Sequence, residues 1–239
     1  MIPARYASSR FPGKMLAPLG GKPVIVRTCE AAAGMGIFDE VYAVTDDTRI
    51  MEAVTSAGIP CIMSRRSHET GSDRIAEAVE NLDCDIVVNI QGDEPFTRRD
   101  VITGVLAPFK EKGGENIDLC TLKELMTSPE EISNPNNVKV ITDADGYALY
   151  FSRQPLPYPR DPHAGARYWR HIGIYAFRRQ ALEMFARWPM RELEASEKIE
   201  CLRFLEYGRR IRVVETSGMR VSIDTPEDLA MAEKLLRQQ

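Results

Sequence analysis

No run in this sequence approaches the roughly 18 consecutive apolar residues that a membrane-spanning helix requires. The N-terminus also lacks the basic segment and apolar core of a secretory signal, so the expectation is a cytoplasmic protein without a membrane span. Cysteine is scarce and unpaired in pattern. Cys29, Cys61, Cys84, Cys120 and Cys201 are odd in number and show neither CxxC nor Cys/His ligand spacing. That excludes an evident disulfide framework or zinc site and fits a reducing compartment. Charge of one sign is not in excess either: 31 basic against 35 acidic residues give a net charge of -4. Such a balance argues against a nucleic-acid or membrane-surface binder, and any anion site must be local. GxxxxGK[ST] and GxGxxG are both absent, which removes the two commonest glycine-loop nucleotide motifs. There is no internal repeat and no low-complexity tract.

What is present begins with length and apolar content. The 239 residues, 44% of them hydrophobic, suffice for a substantial core. Apolar, β-branched runs at 40–44, 58–63 and 85–90 alternate with helix-like stretches at 49–57 and 72–81, the pattern of a parallel sheet flanked by helices. A turn at Gly20-Gly21-Lys22-Pro23 leads into a helical pattern over 24–35. Residues 1–5 read as the last step of a strand with almost nothing before it, as though a beginning were missing. Further on, strands are expected at 137–142 and 148–152 around the turn Asp143-Ala144-Asp145-Gly146, with a third at 170–177. These read as an antiparallel insertion at about 135–180 within a single domain spanning 1–239. The Pro-, Arg- and Gly-containing stretch 154–167 reads as a mobile loop. A helix over 194–207, a strand over 211–215 and a last helix opened by Asp224-Thr225-Pro226-Glu227-Asp228 complete the reading.

Three segments carry chemistry. Ile2-Pro3-Ala4-Arg5-Tyr6-Ala7-Ser8-Ser9-Arg10-Phe11-Pro12-Gly13-Lys14 places cations, hydroxyls and a glycine directly after a strand end. Arginine forks, a compact ammonium and accessible backbone N–H groups suit a polyphosphate, although a solvated basic turn has the same composition. In Val87-Val88-Asn89-Ile90-Gln91-Gly92-Asp93-Glu94-Pro95 an apolar strand runs straight into carboxylates. At the carboxyl end of a parallel strand an aspartate can hold Mg²⁺, or it can cap a helix. Asp224, before Thr225-Pro226-Glu227-Asp228, offers the same two readings: a second metal carboxylate, or a helix start in which Asp224 or Thr225 caps. The third segment, Ser64 to Arg74, is polar and suits a base or ribose, or merely a strand-to-helix connection.

Together these segments closely resemble the CMP-Kdo synthetases, the 3-deoxy-manno-octulosonate cytidylyltransferases. The resemblance rests on IPARYASSRFPGK at 2–14, Ala43-Val44-Thr45-Asp46-Asp47, HETGSDR at 68–74 and VVNIQGDEP at 87–95. It continues through YALYFSR at 147–153, RHIGIYAFR at 170–178, LEYG at 205–208 and IDTPEDL at 223–229. It implies an α/β, GT-A-like Rossmann-type nucleotidyltransferase with a mainly parallel central sheet and an antiparallel dimerisation insertion, hence a homodimer. It implies an enzyme that joins CTP to Kdo with Mg²⁺, releasing pyrophosphate. By the same resemblance Arg5, Ser9, Arg10 and Lys14 hold the phosphates, while Pro3, Ala4, Arg65, Ser72 and Gln91 approach the cytidine. Asp93 and Asp224 are implied as the magnesium carboxylates, from the ends of two strands. Arg153, His171, Tyr175, Glu197 and Glu200 are implied on the Kdo side, with an arginine or histidine for its carboxylate. Arg10, Lys14, Asp93 and Asp224 form the implied catalytic set. One departure is Glu200-Cys201-Leu202-Arg203 where many relatives read Glu-Gln-Leu-Arg; a cysteine cannot make an amide's paired hydrogen bonds. Amino-Kdo or a sialic acid as acceptor, another NTP as donor, and a catalytically silent nucleotide-binding homologue are the alternatives.

Overall fold

The structure, a computed structural model, describes residues 1–8, 10–161, 163, 165–218 and 222–238. The chain divides into two compact units, 1–102 with 219–239, and 103–218.

The first unit contains the strands β1 (Ile2–Ala4), β2 (Pro18–Leu19), β3 (Lys22–Pro23), β4 (Ala43–Thr45), β5 (Cys61–Met63) and β6 (Ile86–Asn89). β1, β4 and β5 form a parallel sheet in the order β1-β4-β5, with Pro3 opposite Val44 and Val44 opposite Ile62. β1 and β4 are buried throughout, as strands covered on both faces must be. On the other side of β1 lies the end of β6, where Ile90 N–H donates to Met1 O at 3.1 Å and the terminal amine to Val88 O at 2.8 Å. The chain therefore steps from β1 outward to β4 and β5, then returns beyond β1 with β6. The carboxyl ends of β1 and β6 flank a topological switch point, where open α/β sheets bind ligands.

The helices of this unit start where local chemistry dictates. Asp47 caps Thr48–Ser56 by accepting from Arg49 N–H, and Thr70 caps Gly71–Val79 by accepting from Asp73 N–H. The helix Pro226–Leu236 opens with proline in its first turn and a capping box: Thr225 accepts from Asp228 N–H while the Asp228 carboxylate accepts from Thr225 N–H. Ile223 and Ala232 are sealed with Leu19 and Val24, and Phe11, Phe96, Leu229 and Leu236 pack around them. Burying a side chain the size of Ile223 contributes about 1.5–3 kcal/mol, which fixes the chain just before Asp224.

The second unit carries β7 (Leu119–Met126), β8 (Lys139–Thr142), β9 (Ala148–Ser152), β10 (Tyr168–Arg178) and β11 (Ile211–Thr216), in the order β11-β7-β10-β8-β9. β11 runs parallel to β7, and the remaining pairs are antiparallel. The strands expected in the antiparallel segment 135–180 are β8, β9 and β10. β7 lies between β10 and β11 and was not among the expected strands. Its sequence LCTLKELM is rich in good helix formers, and pairing on both edges overrides that propensity. The described part of 154–167 forms neither helix nor strand; residues 162 and 164 lie outside the described residues.

The helix expected over 194–207 is two helices, Glu192–Glu197 and Leu202–Glu206. Lys198 breaks it with φ +53°, a left-handed conformation that costs a non-glycine residue roughly 1–2 kcal/mol. Arg153 compensates by donating through Nε to Glu197 O at 2.7 Å and through Nη2 to Lys198 O at 3.3 Å. It thereby satisfies carbonyls that the interrupted helix leaves open.

Candidate active site

Lys14 follows the loop that leaves β1. The residue is 7% exposed, yet its ammonium lies between two carboxylates: Nζ is 2.5 Å from Asp93 Oδ2 and 2.9 Å from Asp224 Oδ1. Burial alone would lower the ammonium's pKa, but Asp93 and then Asp224 outweigh it and hold the value above its usual range. Arg10, half exposed, reaches the same Asp224 Oδ1 with Nη2 at 3.0 Å. All four residues of the expected catalytic set thus meet at one point. Ser9 lies outside the described residues, and Arg5 is exposed just beyond β1.

Both aspartates are free of the capping role that competed for them. Thr225 caps the last helix, and the helix after Asp93 begins only at Arg99. Residues 222–224, which end on Asp224, form no strand, and 219–221 just before them lie outside the described residues. The backbone still holds it beside β6's exit, because Ile223 N–H donates to Asp93 O at 2.9 Å. Gly92 makes the approach possible. A Cβ there would stand 2.9 Å from Pro3 O and 3.1 Å from Met15 Sδ, so the turn after β6 can lie against β1 only without a side chain. Thr28 Oγ1 secures the turn by donating to Gly92 O at 2.8 Å.

A polar cluster joins β6, the helix Gly71–Val79 and β1. Asn89 donates from Nδ2 to Ser72 Oγ at 3.3 Å, and Gln91 donates from Nε2 to Asn89 Oδ1 at 3.3 Å. Gly71 lets Pro3 approach: a Cβ would lie 3.2 Å from Pro3 Cγ and 3.8 Å from Gln91 Oε1. Pro3, Ser72 and Gln91 therefore come together, with Ala4 next in β1. Arg65 does not join them through its bonds. Its Nε donates to Glu77 Oε1 at 2.9 Å, and its Nη2 pairs with Glu80. Glu77 organises this loop, also accepting from Arg65 N–H at 2.7 Å and contacting His68 Nε2 at 2.5 Å. Burial would raise the Glu77 carboxyl, but the Arg65 N–H, the Arg65 guanidinium and His68 hold it down at about 2. Sequence reasoning missed Asn89 and Glu77. Asn89 had a signal, an amide ending an apolar strand; Glu77 is one of two acids on its helix and had none.

Within the second unit the residues expected on the sugar side also cluster. Glu197 accepts from Ser152 Oγ at 2.7 Å and from Arg153 N–H at 3.0 Å, and Arg153 Nη1 donates to Pro135 O at 3.0 Å. His171 contacts Thr121 Oγ1 at 3.0 Å and packs edge-on to Phe151, with ring centroids 4.8 Å apart. It neighbours Tyr175 at 5.5 Å. His171 is half-buried as a residue, and desolvation of its ring lowers the pKa to about 3, so the imidazole is neutral near pH 7. A cationic histidine for a carboxylate is not what this position offers. Glu200 is half-buried in the turn between the two short helices, and Cys201 is buried, its thiol pushed up by burial and hydrogen-bonded to Tyr175.

A parallel sheet whose switch point carries a cationic loop and a shared pair of carboxylates is the arrangement of a nucleotidyltransferase. A family model described as Cytidylyltransferase matches residues 1–211. The chain is 58% identical to the 3-deoxy-manno-octulosonate cytidylyltransferase of Christiangramia forsetii, covering 99% of this chain and 95% of that protein. It is 56% identical to the protein of the same name from Flavobacterium johnsoniae, over 99% and 97%. A solved CMP:2-keto-3-deoxy-manno-octonic acid synthetase complexed with CTP superposes with a TM-score of 0.92 at 38% identity, over 99% and 97% of the two chains. The chain belongs to the cytidylyltransferase family, among the 3-deoxy-manno-octulosonate cytidylyltransferases.

Proposed function

We propose that this enzyme transfers CMP from CTP to the anomeric hydroxyl of Kdo, giving CMP-Kdo for lipopolysaccharide biosynthesis and releasing pyrophosphate. The observation that carries the reading is the meeting of Lys14, Arg10, Asp93 and Asp224 at the switch point, in a chain so similar to proteins bearing that name. A bond forms between the sugar oxygen and the α-phosphorus, and the bond from that phosphorus to the departing pyrophosphate breaks. Such a displacement needs positioning and charge neutralisation rather than a protein nucleophile.

Arg10 and Lys14 neutralise the leaving pyrophosphate, with Arg5 and Ser9 on the same loop as further phosphate ligands. The cluster of Pro3, Ser72, Asn89 and Gln91 receives the base. Asp93 and Asp224 fit a divalent cation: two carboxylates converge on one ammonium, so their oxygens can share one charge, and an all-oxygen donor pair suits Mg²⁺. Mg²⁺, when bound, supplies charge neutralisation at the phosphates and eases ionisation of the attacking hydroxyl. Tyr175, Glu200 and Arg153 are the proposed acceptor ligands, with the Glu197 carboxylate accepting from the Arg153 N–H.

The five cysteines are free thiols, and no helix among the described residues is long and apolar enough to cross a membrane. Both support a cytoplasmic setting, where CTP is at hand. A homodimer formed through the antiparallel strands of the second unit completes the reading. Product identification by phosphorus NMR tests it: CTP and Kdo with Mg²⁺ yield CMP-Kdo and pyrophosphate. A wild-type protein yielding neither overturns it.

A further inference from the structure

Resting on the reading of Asp93 and Asp224 as cation ligands, we infer that Lys14 is a resident counter-ion occupying their shared position until nucleotide arrives. Its transfer to the incoming polyphosphate couples cation binding to nucleotide binding.

The geometry begins with distance. Lys14 Nζ is 2.5 Å from Asp93 Oδ2 and 2.9 Å from Asp224 Oδ1. A Mg²⁺ ion binds carboxylate oxygens at roughly 2.0–2.1 Å, so an ion shared by these two carboxylates takes the space the ammonium now fills. The two cannot coexist there, since a like-charged pair at such range in a partly dry site repels strongly. Charge balance points the same way. With Arg10 Nη2 also on Asp224 Oδ1 at 3.0 Å, two cations already neutralise two carboxylates, and a divalent ion arriving alone finds little net attraction.

Nucleotide changes that balance by bringing several negative charges to the same loop. Lysine has a flexible four-carbon stem and no fixed fork, so its ammonium can follow the phosphates while its Cα stays in place. Its departure uncovers Asp93 and Asp224 as the cation's ligands. Coupling of this kind is reciprocal, nucleotide and cation each tightening the other. It also keeps the site from filling with free divalent cation between turnovers.

The test uses Mn²⁺ alone, without nucleotide, titrated into the full-length protein, with free ion read by electron paramagnetic resonance. Wild type binds weakly. Lys14→Met and Lys14→Gln, which lack the ammonium, bind at least tenfold more tightly, whereas Lys14→Arg, which keeps the charge, stays close to wild type. Thermal melting identifies whichever variant is folded, and either neutral variant suffices. Equal Mn²⁺ affinity for wild type and the folded neutral variant overturns the counter-ion role, as does Lys14→Arg behaving like Lys14→Met. The double variant Lys14→Met, Asp93→Asn loses the gain. If it keeps the gain, the cation sits elsewhere, and the underlying assignment of Asp93 fails rather than the role of Lys14 alone.

Discussion

Lys14 and Arg10 illustrate how a residue's surroundings decide its use. A buried ammonium is costly unless paired, and here the pair is built from segments far apart in sequence, Asp93 and Asp224. If both cations neutralise the leaving group, Arg10→Ala and Lys14→Ala each lose about 2–4 kcal/mol of transition-state stabilisation. That is roughly 30- to 1000-fold in kcat/KM, measured as pyrophosphate release, and near-wild-type turnover in either variant would remove the role. His171 gives a second prediction. Its pKa is about 3 in the fold against an ordinary 6.5, so between those values the unfolded chain binds the proton and the folded one does not. Stability is then full above 6.5 and falls as pH drops toward 3, by up to about 1.4 kcal/mol per pH unit. Glu77 acts later, its contribution full above 4.5 and lost as pH falls toward about 2. Melting temperatures from pH 6.5 to 4.5 should therefore fall more steeply for wild type than for His171→Gln; equal slopes would contradict the buried neutral imidazole.

Elements place these residues, and here legibility divides. The alternation of apolar runs and helical stretches in the first 90 residues was readable because the strands of a parallel sheet, fully buried in β4 and half-buried in β5, carry short apolar runs between helical patterns. The second unit was less readable. β7 is written in helix-forming residues, and the break at Lys198 depends on Arg153, a partner 45 positions away, which no local pattern encodes. At the functional site both Asp93 and Asp224 were open between helix cap and metal ligand. In the structure Thr225, one of the two expected caps, caps the last helix, and the Asp224 carboxylate pairs with Lys14 and Arg10. Thr225→Ala should cost about 1 kcal/mol in urea unfolding and lower turnover, since the turn that presents Asp224 loosens. Unchanged stability would mean that the capping box does not hold this turn.

At the scale of the whole molecule, the family resemblance carried by motifs along the chain extends to a structural match over 99% of it. Leu125 on β7 and Leu149 on β9 are exposed at 40% and 59%, large apolar side chains for a sheet face in water. Light scattering should give twice the 26.9 kDa chain mass, and Leu149→Glu should shift the protein toward monomer. A monomeric wild type would rule out the dimer. The transfer reaction itself is tested by pyrophosphate release from CTP and Mg²⁺ across Kdo, amino-Kdo and sialic acid, with Asp93→Asn as control. Release with Kdo above the other acceptors, abolished in Asp93→Asn, is the predicted result; CTP binding without release for any acceptor would contradict it and leave a silent nucleotide-binding homologue.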